Sequence, residues 1–203
     1  MTGILDFLRA AERLKTTTRS AYTSAGTAES VAEHTWRVCL MALVLHDQVP
    51  EVDFAKLVKI CIIHDLGEAI GGDVPAPEQA RRLAADPGSA KAAKEREDLL
   101  TLVAPLPRAV GAEIVALWDE YEAAESPEAR LAKALDKLET ILQHTQGDNP
   151  PDFDYRFNLG YGRRFTADHP VIVALRQILD EETERRAAQA DRARAPTDFA
   201  RSD

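Results

Sequence analysis

Residues 59–75 read KICIIHDLGEAIGGDVP, and this stretch decides the fold. Lys59 to Ile63 is mostly apolar and should point into a core. His64, Asp65, Glu68 and Asp73 follow within ten positions. An unpaired charge is expensive to bury, so something must compensate that acid cluster, and a cation is the first candidate.

The same reading extends outward on both sides. Asp53 can cap a helix that carries FAKLVKICIIHDLGEAI up to Gly71 and Gly72. On such a helix His64 and Glu68, four apart, share a face. Upstream, Ser30 to Glu33 reads SVAE, a capping box, and the helix it opens should end before Pro50. His34 lies one turn in, beside the apolar positions Val31, Val38 and Met41, and should look inward. Downstream, Ser126 and Pro127 start PEARLAKALDKLETILQH, whose buried stripe is Leu131, Leu135, Leu138 and Leu142. Asp136 falls at the margin of that stripe, three positions after Lys133.

ILDFLRAAERLK and PRAVGAEIVALWDEYEAA repeat apolar residues at helical spacing, and Asp168 can cap HPVIVALRQILDEETERR. Ala80 to Ala104 is helix-prone with a break at Asp86 to Ser89. Thr16 to Ser30 lacks any period and reads as loop, and Gly147 to Arg164 reads as a long loop bearing Tyr155, Phe157 and Tyr161, rings that either line a base pocket or, the favoured reading, pack within the loop. No β-branched run is bounded by turns on both sides. The expectation is an all-α fold: a compact single bundle of six or seven helices over residues 1–188, a metal site between helices, and a polar disordered tail at 189–203.

Composition narrows the function. The chain has 203 residues, a net charge of -9 and a pI near 5.1. Such a surface repels phosphate backbones and excludes general nucleic-acid binding, while leaving room for a small basic pocket. Cys39 and Cys61 sit in apolar runs and read as reduced core thiols. The apolar run Val38 to Leu45 is too short for a bilayer and the N-terminus carries early charges, so a cytoplasmic protein with no membrane partner is expected. Trp36, Trp118 and Tyr121 read as core or helix-interface residues, EREDLL as a solvated face, and His46, His144 and His169 receive no chemical role.

His34, His64, Asp65 and Asp136 together make a good first shell for one divalent transition ion. Mixed nitrogen and oxygen donors suit cobalt, manganese, iron or zinc ahead of magnesium. A bound ion gives a hydroxide near neutral pH.

EHTWR, HDLGE and ALDKLE, carrying those four residues in that order, resemble the HD-domain metal-dependent phosphohydrolases. ESVAEHTWRV, HDLGEAIGGDVP, ALWDEYE and EARLAKALDKLETILQ resemble one branch of them, the 5'-deoxynucleotidases, which remove phosphate from deoxynucleoside 5'-monophosphates. The likeness runs from about Arg13 to Glu184; a bare LHD at Leu45 to Asp47 is a decoy. The resemblance implies that His34, His64, Asp65 and Asp136 are metal ligands and that Glu68 orients or activates the attacking water. It implies that Asp73 serves the leaving 5'-oxygen, that Arg19 binds phosphate and that Lys133 adds positive charge there. Bacterial relatives often place tryptophan directly after that arginine; Ser20 stands here, with Tyr22 two further on, which leaves deoxyribose against ribose open. Relatives commonly pair, so a homodimer acting on a small nucleotide is expected. Two rivals belong to other classes: a di-iron oxygenase, disfavoured because no histidine lies between His64 and Asp136, and a non-catalytic nucleotide-binding regulator, which has no need of Glu68 and Asp73.

Overall fold

The computed structural model describes residues 1–78, 81 and 90–194. Its elements are α1 (Thr2–Ala11), β1 (Thr18–Tyr22), β2 (Ala28–Ser30), α2 (Val31–Leu45), α3 (Phe54–Ile63), α4 (Glu68–Gly71), α5 (Ala90–Val103), α6 (Arg108–Ala123), α7 (Pro127–Gln146), α8 (Phe157–Gly160) and α9 (Pro170–Arg194). Among the described residues the fold is all-α apart from one small two-stranded sheet.

Helix α7 is the axis of the bundle. It is buried almost all round, and α2, α3, α6 and α9 pack on it. Leu135, Leu138 and Ile141 meet Val38, Leu57 and Ile60 in one core; Val31, Ile63, Leu99, Leu102 and Trp118 form a second. Asp136 therefore lies buried among the core helices.

Local signals hold where a cap was legible. Ser30 and Glu33 form the reciprocal capping box of α2. Asp53 accepts from Lys56 N–H and Ser126 from Ala129 N–H at the starts of α3 and α7. At α9 the expectation fails: the helix opens at Pro170, and the His169 ring, not Asp168, accepts from Val171 N–H.

Four further expectations are corrected. Thr16 to Ser30 is not loop throughout, because β1 and β2 pair antiparallel with a register shift between Thr18 and Tyr22. Helix α3 ends at Ile63, and His64 to Gly67 form a turn before α4, so His64 and Glu68 do not lie on one continuous helix. That turn lets α5 come close: a Cβ on Gly67 would stand 2.9 Å from the Glu95 carbonyl oxygen. The acidic helix is not wholly solvated either, since Asp98 is buried and takes a 2.6 Å bond from Lys94. Helix α9 continues past Ala188 to Arg194, where Arg194 Nε donates to the Pro151 carbonyl. The break expected at Asp86 to Ser89 and the tail beyond Arg194 lie outside the described residues.

Candidate metal centre

Two helices and one turn bring distant residues to a point. His34 comes from the first turn of α2, His64 and Asp65 from the turn after α3, and Asp136 from the middle of α7. His64 Nε2 lies 3.3 Å from His34 Nε2 and 3.1 Å from Asp65 Oδ2. His34 Nε2 is 3.7 Å from Asp65 Oδ2 and 3.5 Å from Asp136 Oδ1. Bare nitrogens and carboxylate oxygens at these separations repel or share protons unless a cation sits among them, and the donor chemistry suits one divalent ion.

The other ring nitrogens fix the tautomers. His34 Nδ1 is bound to Glu139 Oε2, and His64 Nδ1 lies 2.7 Å from the Cys61 carbonyl. Each Nδ1 thus carries its proton outward and leaves Nε2 to face the centre, which raises ligand basicity. Glu139, fully buried, is held in turn by Arg37 Nε at 2.7 Å. Burial and Arg19 pull His34 down, but Glu139 and Asp136 outweigh them and leave it at about 9. Burial alone would raise Asp65, yet His64 and His34 hold it below the usual carboxylate range. Asp136, also opposed by burial, is brought well below that range by Lys137 and His34.

A proton on His34 has two consequences of opposite sign. It stabilises the metal-free fold below the ordinary value of 6.5, and that contribution is lost as pH rises through about 9. An incoming cation must also displace it. Affinity of the metal-free protein for manganese should therefore rise with pH up to about 9, with proton release on binding. Calorimetry in buffers of different ionisation enthalpy reads both, and pH-independent affinity without proton release would contradict the assignment.

A cavity of about 850 Å³ opens onto this centre. Arg19, His64, Asp65, Glu68, Asp73 and Lys133 all line it, so every sequence-singled residue except His34 reaches one chamber. Arg19, on β1, donates to Thr140 Oγ1 at 3.0 Å and lies 3.5 Å from Asp65 Oδ2 and 3.3 Å from Glu29 Oε2. Glu68 is buried, and its Oε2 has no hydrogen-bond partner among the described residues. Burial, Asp65 and Asp73 push it up to about 10. Lys133 is held by Glu122 at 2.8 Å and rests 3.8 Å over the Tyr121 ring; burial lowers its pKa.

Several members escaped the sequence reading. Tyr121 is no mere packing residue, since its hydroxyl donates to Asp136 Oδ2 at 2.7 Å. Trp118 is core as expected, and it donates to the His64 carbonyl. Phe157 and Tyr161 form part of the cavity wall, while Tyr155 is buried within its loop. Buried Arg176 fastens that wall by donating to the carbonyls of Asn158 and Tyr161. Glu139 follows Asp136 by three, a helical spacing that could have pointed to it. Arg37 and Lys137 had no local signal. Trp36 departs most from expectation: it is 65% exposed, not core.

A second acidic grouping, Glu29, His34 and Glu139, abuts the first. Arg19 and Arg37 reach into it, so its charge is already compensated. Burial and Glu139 raise Glu29 to about 7.

The family profile described as HD domain matches residues 11–189. The 5'-deoxynucleotidase HDDC2 of Mus musculus is 32% identical over 199 residues, which cover 96% of this chain and 94% of the relative. Its Homo sapiens counterpart is 30% identical, covering 93% and 90%. A crystal structure of a predicted metal-dependent phosphohydrolase from Magnetospirillum magnetotacticum MS-1 superposes with a TM-score of 0.76 at 28% identity, covering 91% of this chain and 93% of that one.

Proposed function

The chain belongs to the HD domain family, and from that premise we propose that it is a metal-dependent phosphomonoesterase converting (deoxy)nucleoside 5'-monophosphates to nucleoside and phosphate. The observation that carries this is the convergence of His34, His64, Asp65 and Asp136 on one point, opening onto a chamber that Arg19 and Glu68 also line.

A divalent ion held by those four residues supplies Lewis acidity and a nucleophile at neutral pH. The chain's own groups do the rest. Arg19 presents a planar cationic fork to two phosphate oxygens and offsets the charge that gathers there. Glu68 orients the attacking water and takes its proton, since a nearby cation opposes the forces that raise this carboxyl. As the P–O5' bond breaks, Asp73 gives a proton to the leaving oxygen. Lys133, on the wall of the same chamber, adds positive potential toward the phosphate. The aromatic wall of Phe157 and Tyr161 offers a π-face to the base. Cobalt, manganese, iron or zinc fits the donor set.

We further propose a homodimer in the cytoplasm. Trp36, Leu40, Leu43 and Val44 make one exposed stripe along α2, 39% to 66% accessible, at the spacing of a single helix face. Apolar stripes of this kind mark self-association. Trp36→Asp should convert a sedimenting dimer to a monomer without altering the far-ultraviolet spectrum; an unchanged sedimentation coefficient would refute that interface. Cys39 and Cys61 are both free, as a reducing compartment allows. Among the described residues no helix is long and apolar enough to cross a membrane.

The test of the activity is phosphate release from ribo- and deoxyribonucleoside 5'-monophosphates, each with cobalt, manganese and magnesium. Release with a transition ion is expected. Silence across the panel, with nucleotide still bound tightly, favours the regulator, and oxygen consumption with bound iron favours the oxygenase.

A further inference from the structure

Lys137 is not accounted for by the reaction above, yet it touches Asp136. Its Nζ lies 2.8 Å from Asp136 Oδ2. Neighbours in a helix diverge by about 100°, so an ion pair between residues 136 and 137 is not what helical geometry gives by default. The loop after α8 imposes it. Lys137 Nζ stands 5.2 Å from the centroid of the Tyr161 ring, a cation–π distance. Gly162 lies against the aliphatic stem: with φ at +66°, a Cβ there would sit 2.7 Å from both Cβ and Cγ of Lys137. Buried Arg176 ties the carbonyl of Tyr161 down at 2.6 Å, so this clamp is anchored to α9.

The two oxygens of Asp136 are thereby divided. Oδ2 accepts from Lys137 at 2.8 Å and from the Tyr121 hydroxyl at 2.7 Å. Oδ1 is left facing His34 Nε2 at 3.5 Å. We propose that Lys137 is a positioning residue that restricts Asp136 to one-oxygen ligation and drains charge from it, leaving a site that grips its ion less tightly and polarises substrate more. This rests on the metal-site reading given above. A lysine at this place repels the ion and shares the carboxylate's charge, so ligand strength and electrophilicity move in opposite directions.

The test uses the full chain stripped of metal. Cobalt is titrated by calorimetry and by its visible absorption, and turnover is measured separately. Lys137→Met should bind cobalt roughly tenfold more tightly and shift the cobalt spectrum, while kcat falls roughly tenfold and KM stays near the parent's. Lys137→Arg should restore both. Gly162→Ala, whose added methyl forces the loop away from the root of the Lys137 side chain and leaves the cation itself unchanged, should move cobalt affinity in the same direction by a smaller factor. Unchanged or weaker cobalt binding by Lys137→Met, with or without a lower Tm, overturns the proposal, and so does a change confined to KM, which would make Lys137 a substrate contact. If the parent binds cobalt but releases no phosphate from any nucleotide, the nucleotidase reading fails while the cobalt arm still decides this one. If the parent binds no cobalt, manganese or zinc, both fall.

Discussion

Glu68→Ala should lower kcat by roughly a hundredfold to ten-thousandfold while leaving metal content close to that of the parent. Glu68 lines the chamber, but unlike Asp65 it forms no ion pair with His34 or His64 among the described residues. Its Oε2 is buried with no hydrogen-bond partner among the described residues, so packing alone does not account for this carboxyl. The substitution should also stabilise the metal-free protein. A carboxyl raised from 4.5 to about 10 costs folding free energy at every pH above 4.5, because the unfolded chain releases the proton that the folded one retains. Removing it should raise Tm at about pH 8, the expected signature of a group kept for chemistry at the expense of the fold. His64→Ala is the contrasting variant. It deletes the Nε2 that stands 3.3 Å from its His34 counterpart, and should lose metal and turnover together. Metal analysis by emission spectroscopy, read beside kcat, separates the two; equal metal loss in both would make Glu68 a ligand.

What could be read ahead of the structure follows a physical divide. Caps and apolar periods are local, so the capping box at Ser30 and the starts of α3 and α7 were legible. Histidine and acid pairs embedded in apolar runs were conspicuous because burial demands compensation, and that gave the four residues of the centre. The hairpin was not legible: five residues of β1 and three of β2 are too short to show a period, and they are held by pairing with each other and by packing of β1 on α7 and β2 on α2. The turn at His64 to Gly67 was hidden by a sequence that reads as continuous helix; close packing against α5 decides it. Trp36 was misjudged because an aromatic residue on a core helix is usually inward, and only the placement of α2 on α7 shows which face is left open. Partners such as Arg37 and Lys137 depend on where long flexible side chains end, which sequence spacing does not encode.

The second large effect concerns a residue that the sequence alone did not single out. Glu139→Ala should weaken manganese binding by roughly tenfold to a hundredfold, although Glu139 stands behind His34 and not at the centre. Its Oε2 holds the Nδ1 proton of His34, so its loss frees the ring to rotate or to change tautomer and lowers the basicity of Nε2. The fold should suffer too. Truncating one partner of a buried pair leaves an uncompensated charge, at a cost on the order of 3–5 kcal/mol. The lower end is expected here, because Arg37 keeps a 3.2 Å bond to Gln146 and a contact to Gln143. Glu29, raised to about 7 partly by the charge of Glu139, would ionise more readily and take up part of the deficit 3.8 Å from Arg37. Glu139→Gln separates the two effects: it keeps the volume and an acceptor for Nδ1 while discarding the charge, so Tm should recover more than manganese affinity does. Denaturant unfolding of the metal-free variants and manganese titration of the same samples measure both quantities. A Glu139→Ala protein with the parent's affinity would show that His34 needs no support from α7, and the centre would then be set by its four converging side chains alone.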